Sequence, residues 1–167
     1  TATYKVYPIN DRSIDISVQD STYLPQHIQK LLVSKNNHVF LRFDAPAIVD
    51  SSYNVELNLT PGKIYSLKDG LVLYKYNYEG WDERLANSNI GIIDKSNLTA
   101  LDTIRSLTEN EKISIDVSAY IDSTGEHSFA LAALSEKDSV YFYSRDKLVL
   151  DGHFEGSIAA HNSGFAT

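Results

Sequence analysis

The chain contains no cysteine and no methionine, and only four prolines, eight glycines and one tryptophan. The lack of cysteine excludes disulfide staples, a thiol nucleophile and thiolate metal sites. No apolar run approaches the roughly 20 residues that a membrane-crossing helix requires. Positive charge is also scarce: 15 Lys and Arg against 22 Asp and Glu leave a net charge of −7, which argues against a general nucleic-acid binder. There is no phosphate-cradling glycine loop, no Gly-x-Ser-x-Gly elbow, no zinc spacing among the histidines at 27, 38, 127, 153 and 161, and no EF-hand loop. No internal repeat is long enough to make a solenoid. No signal peptide is visible at Thr1 and no initiator Met precedes it, so a piece of a longer chain is expected.

What is present suits a folded β-protein. Of 167 residues, 43% are hydrophobic and 22% charged, the balance of an ordinary globular domain rather than a disordered chain. Eleven tyrosines add flat rings with polar tips, side chains that favour strands and that contact sugars or proteins. Period-two alternation recurs along the chain, in residues 3–7 (TYKVY), 14–18 (IDISV), 53–60 (YNVELNLT), 112–117 (KISIDV) and 127–134 (HSFALAAL). Residues 30–44 read as a hairpin turning at Asn36 and Asn37; Ile28, Leu31 and Leu32 also have helical spacing, and we favour the strand. Pro61 with Gly62, and Asp69 with Gly70, are turn signals, and the second launches the aromatic run 71–78 (LVLYKYNY). Residues 119–121 are expected to form a short helical turn. Residues 136–138 are expected to join the 127–134 strand to 139–146 (SVYFYSRD) in a tight hairpin, with 147–150 as a last strand. About ten short strands with frequent turns predict an antiparallel β-sandwich of jelly-roll type. A single domain over 1–151 is expected, followed by a weakly structured tail over 152–167.

The order of several segments resembles the DNRLRE domain, an extracellular bacterial and archaeal module that includes an alginate-lyase-associated carbohydrate-binding family. The residues carrying the resemblance are 10–16 (NDRSIDI), 22–25 (TYLP), 31–33 (LLV), 40–44 (FLRFD), 81–83 (WDE), 115–121 (IDVSAYI) and 142–146 (FYSRD). The chain departs from that pattern at Asp146, where Glu is usual, at Leu24, where Gly is usual, and at 86–89, where a Trp-Asn-Asn element is reduced to ANSN. The resemblance implies a jelly-roll sandwich attached to a larger secreted or surface protein, binding carbohydrate and carrying no chemistry of its own.

Candidate binding residues follow from how sugars are held: rings stack on their apolar faces while charged and amide groups bond the hydroxyls. Trp81, in the irregular stretch 79–99, supplies a ring with Tyr74, Tyr76, Tyr78, Tyr141 and Tyr143, and Lys75, Arg84, Asn87 and Asn89 are the polar partners. Arg42 and Arg145 either grip a uronate or sulfate through the guanidinium fork or bridge internally to a carboxylate such as Asp44, Asp116 or Asp146. Asp11, Asp15, Asp20 and Asp151, near strand ends that meet if the termini converge, are candidate ligands for a structural calcium. Catalysis is not expected: Asp82 and Glu83 are adjacent but diverge in an extended loop, and Glu79 has no evident partner for glycoside hydrolysis. The expected function is therefore non-catalytic carbohydrate binding by a secreted or cell-surface protein, with polysaccharide and other domains of the same polypeptide as partners and neither nucleic acid nor membrane insertion. A structural or adhesive spacer is the alternative, and a polysaccharide lyase or hydrolase the third. The motifs Asn58-Leu-Thr60 and Asn97-Leu-Thr99 match glycosylation acceptors, which carry no meaning in a bacterial chain.

Overall fold

Alternating side chains and short turns produce strands throughout the computed structural model, which describes residues 3–6, 10–15, 30–45, 53–77, 97–121, 125–143 and 157–162. Among these residues the strands are β1 (Thr3–Val6), β2 (Asn10–Asp15), β3 (Lys30–Ser34), β4 (Asn37–Ala45), β5 (Tyr53–Leu59), β6 (Pro61–Ser66), β7 (Leu71–Tyr76), β8 (Leu98–Ile104), β9 (Ile113–Asp116), β10 (Gly125–Ala133), β11 (Ser139–Tyr143) and β12 (Ser157–Asn162), with one 3-10 turn at Ser118–Tyr120. The pairings are antiparallel. A small sheet runs β1-β12-β5-β9 and a large one β6-β11-β3-β4-β10-β7-β8, with β2 added on β4. The protein is an all-β sandwich, as its alternation predicts.

A strand has two edges, and both edges of β4 are taken. β10 pairs along 39–45 and β2 along 37–42, so β3 pairs with β4 only at Ser34 opposite Asn37. The large sheet therefore opens at the 30–45 hairpin into two arms, β6-β11-β3 and β2-β4-β10-β7-β8. Inward residues of both arms and of the small sheet share one core: Leu31, Val33, Val39, Leu41, Phe43, Val55, Leu57, Leu59, Leu73, Phe129, Leu131, Val140 and Phe142. Each such side chain contributes about 1.5–3 kcal/mol by leaving water. Phe43 and Phe129 meet edge to face at 6.1 Å between ring centres. β4, β10 and β7 are buried on their other face too, where Phe40, Tyr76 and Ala130 cluster with Tyr74 and Leu98.

Three connections cross between the arms at one end of the molecule: 35–36, 67–70 and 134–138. The last two are pinned by Asp138, only 1% exposed. Its Oδ1 accepts the N–H groups of Lys68 (2.7 Å), Asp69 (2.9 Å) and Gly70 (3.1 Å), and its Oδ2 accepts that of Ser135 (3.2 Å). The Ser135 hydroxyl donates to Asp69 Oδ2 at 2.6 Å, and Leu134 N–H to the Gly70 carbonyl at 2.9 Å. Lys35 lies 4.0 Å from Glu136, drawing the first connection to the same corner. Gly70 has φ 123°, and a Cβ there would lie 3.0 Å from the Ile104 carbonyl oxygen, so only glycine fits without strain.

Several expectations change here. The 136–138 link reverses the chain but makes no hairpin, because β10 pairs with β4 and β7 while β11 pairs with β3 and β6; the turn chemistry serves Asp138 instead. Pro61 and Gly62 make no turn. Extended chain passes from β5 in the small sheet to β6 in the large one through buried Thr60, whose carbonyl accepts the Tyr143 N–H at 3.0 Å. Gly62 is required by close approach, since a Cβ would lie 2.6 Å from the Tyr143 ring. β2 is described over Asn10–Asp15, so it begins earlier than the expected 14–18 strand, whose residues 16–18 lie outside the described residues; within the expected weakly structured tail, Ser157–Asn162 form β12, which sits between β1 and β5. The 147–150 strand lies outside the described residues.

Asp138→Ala is expected to lower unfolding free energy by about 2–4 kcal/mol, since it leaves one buried and three part-buried amides without their acceptor; a urea titration indistinguishable from wild type would refute the pinning role. Burial by itself would raise the Asp138 pKa, but the amides of Gly70, Lys68, Asp69 and Ser135 outweigh it and hold the carboxyl below its ordinary 3.8. A depressed folded pKa gives stability that is complete above the unfolded value and lost as pH falls through the folded one. Wild-type stability should therefore decline below about pH 4, along a steeper profile than that of Asp138→Asn.

Candidate functional site

The outward face of the β6-β11-β3 arm follows from alternation. In β11, Val140 and Phe142 enter the core, so Ser139, Tyr141 and Tyr143 point away from it. In β6, Ile64 packs on the core and leaves Lys63 and Tyr65 outward. The register places Tyr141 between Lys63 on β6 and Leu32 on β3. Tyr65 is 58% exposed, and its ring meets that of Tyr141 edge to face at 5.6 Å and 68°. Lys63 Nζ stands 6.0 Å from the centre of the Tyr65 ring. These three strands carry no Asp or Glu, although the chain as a whole is acidic.

A loop closes the outer edge of β6, the terminal strand of its arm. Glu109 Oε1 accepts the Ile64 N–H at 3.0 Å and lies 3.8 Å from Lys63 Nζ. Asn110 donates its N–H to the Pro61 carbonyl at 2.8 Å and accepts the Tyr143 hydroxyl on Oδ1 at 2.5 Å. Its φ of 64° is the left-handed conformation that Asn tolerates better than other side-chain-bearing residues. Occupied in this way, the β6 edge is closed to unplanned strand pairing. Tyr143 leans across Gly62 toward this loop and frames one side of the Tyr65–Tyr141 surface.

Of the residues singled out from sequence, Tyr141 and Tyr143 come together here. Arg42 and Lys75 do not. Arg42, on the outer face of β4, pairs with Glu126 of β10, their side chains 22% and 18% exposed. This is an internal bridge, made to a carboxylate other than the ones expected. Asp116 is capped instead by Ser118, whose hydroxyl at 2.5 Å and N–H at 2.9 Å lower its pKa against a small opposing effect of burial. Lys75 points the other way, with Nζ 5.1 Å from the Phe129 ring centre, 3.3 Å from His127 Nδ1 and 3.4 Å from the Ser128 carbonyl. His127 is 6% exposed. Trp81, Arg84, Arg145, Asp20 and Asp151 lie outside the described residues. Asp11 and Asp15 take positions in β2 opposite Leu41 and Asn37. Among the described residues no group of three or more His, Asp or Glu gathers as a metal site would require.

Sequence reading missed Tyr65, Lys63, Glu109 and Asn110. The alternation of 62–66 (GKIYS) was the available signal for the first two, masked by taking Pro61 and Gly62 for a turn. No local pattern marks Glu109 or Asn110, which reach β6 from 45 residues away in the case of the Glu109 bond to Ile64.

Arg42→Ala is expected to cost about 1–3 kcal/mol, because Glu126 keeps a half-buried charge without its counter-ion. Replacing both partners with apolar residues should cost less than the sum of the single changes. Additive losses in a double-mutant cycle would show that the two side chains are not coupled.

No family model matches this chain, and no curated protein matches it. Among solved structures it is similar to one titled "Structure of infectious bursal disease virus Gt strain", at 13% identity over 95% of this chain and 32% of that one, with a TM-score of 0.28. The chain thus spans about a third of that protein's length, and a TM-score so low assigns no shared fold.

Proposed function

We propose that this chain is a non-catalytic carbohydrate-binding module of a larger secreted or cell-surface protein, and that polysaccharide docks on the outward face of β6 and β11. The observation that carries the reading is the solvent-facing Tyr65 set against Tyr141. An edge-to-face pair offers one ring flat to a pyranose while the other walls its side, and the Lys63 amine with the serines of the same strands can bond hydroxyls. The motif order resembling DNRLRE domains supports the same reading. A module of this kind serves to hold the rest of its polypeptide on a glycan outside the cell. A structural calcium belongs to the proposal in reduced form: Asp11 and Asp15 stand four residues apart along β2, roughly 13 Å, too far to share one ion, so only one of them can join Asp20 and Asp151 in holding it, and adding chelator tests for it.

One observation favours the spacer alternative. Arg42, Lys75 and Tyr143 all have contacts within the chain, as expected where surface chemistry serves architecture alone. A glycan array followed by calorimetry separates the two. Tyr65→Ala and Tyr141→Ala should each weaken glycan binding roughly tenfold, about 1.4 kcal/mol, while Tyr65→Ala leaves the unfolding midpoint nearly unchanged because its ring is exposed. Silence across neutral and acidic glycans, with and without calcium, leaves the spacer. Release of shortened products from a bound glycan would instead make the chain an enzyme.

A further inference from the structure

We infer that Glu109 is a specificity-determining residue of the tyrosine face, acting through Lys63 to favour uncharged saccharides over anionic ones; the inference rests on the carbohydrate-binding reading above. The strands of this arm supply cations but no acid: Lys63 is on β6, and Lys30 takes the position opposite Tyr143 on β3. Left to themselves, they would make a basic aromatic surface suited to uronate or sulfate. Glu109 alters that where the rings meet, standing 3.8 Å from Lys63, the lysine set over the Tyr65 ring.

A surface glutamate would ordinarily contribute little, because a long exposed side chain samples many positions. Glu109 differs in being held. Its Oε1 accepts the Ile64 N–H at 3.0 Å, and the next residue is fixed on both sides, to Pro61 through its N–H and to Tyr143 through its side chain. The loop thus places a negative charge beside Lys63 with little entropy left to lose. An anionic sugar would have to displace or face this carboxylate on a protein whose net charge of −7 already opposes its approach. A neutral sugar stacking on Tyr65 and Tyr141 meets no such opposition. Lys63, with its Nζ 6.0 Å from the centre of the Tyr65 ring, is the cation described at the ring pair.

The bond to Ile64 needs an acceptor and not a charge, so Glu109→Gln keeps the loop in place and removes the anion alone. Calorimetry with cellohexaose, hexagalacturonate and a sulfated galactan oligomer, for the wild type, Glu109→Gln, Lys63→Gln and the double variant, reads the effect. Glu109→Gln should raise the anionic-to-neutral affinity ratio about threefold to fivefold at low salt, the range open to an exposed ion pair. The gain should fade as salt shortens the screening length and vanish in the double variant. The two anionic probes distinguish carboxylate from sulfate as the group admitted. An unchanged ratio in Glu109→Gln with cellohexaose binding intact overturns the role of Glu109 and leaves the binding module standing. Wild-type preference for either anionic probe overturns it as well. No saccharide binding by any variant removes the module reading itself, and this inference with it.

Discussion

Two of the three described crossings between the arms of the large sheet hang from the carboxylate of Asp138. Three successive amides of one turn converge on a single oxygen, and the other oxygen holds the amide of Ser135. Each amide would otherwise be a costly orphan in a tight corner, and the fixed charge satisfies them together. Gly70 makes the geometry accessible by adopting a φ that a Cβ would strain. With this corner set, β6 and β11 go to one arm and β7 and β10 to the other, although each connection is short enough to read as a hairpin.

That separation of the arms makes the candidate site. Had β11 paired with β10, Tyr141 and Tyr143 would have stood beside the residues of the buried aromatic cluster. Paired with β6, they meet Tyr65 and Lys63 on a surface backed by the core residues Val140 and Phe142. The 109–110 loop then does two things at once. It closes a sheet edge that would otherwise invite another strand, and it brings the only acidic side chain described on that surface next to the amine beside the rings.

The charged residues most suggestive in sequence serve the opposite arm. Arg42 lies on the outward side of β4 opposite a β10 that carries Glu126, and Lys75 lies over Phe129 beside His127 at the end of the core. A cation in an aromatic strand satisfies its charge at short range wherever the sheet supplies a partner, and the partner's identity depends on pairing. His127 shows the same: alternation puts it in line with Phe129 and Leu131, and burial follows from that face being the core.

The sequence by itself determined the all-β class, most strand positions, the chain reversal between β3 and β4, the short helical turn near 119–121 and same-face sets such as Val39, Leu41 and Phe43, because period-two alternation is a local property that burial on one face imposes directly. It also put Tyr141 and Tyr143 on the same face of their strand, and left open whether that face is outward. Only the tertiary structure decided which strands are neighbours, and with them the partners of Arg42 and Lys75, the burial of His127, the exposure of Tyr65 and the placing of Glu109. Pairing depends on backbone edges that look alike in every strand, and the choice among them was made at a distance, by a carboxylate at 138 that reaches amides nearly 70 residues earlier.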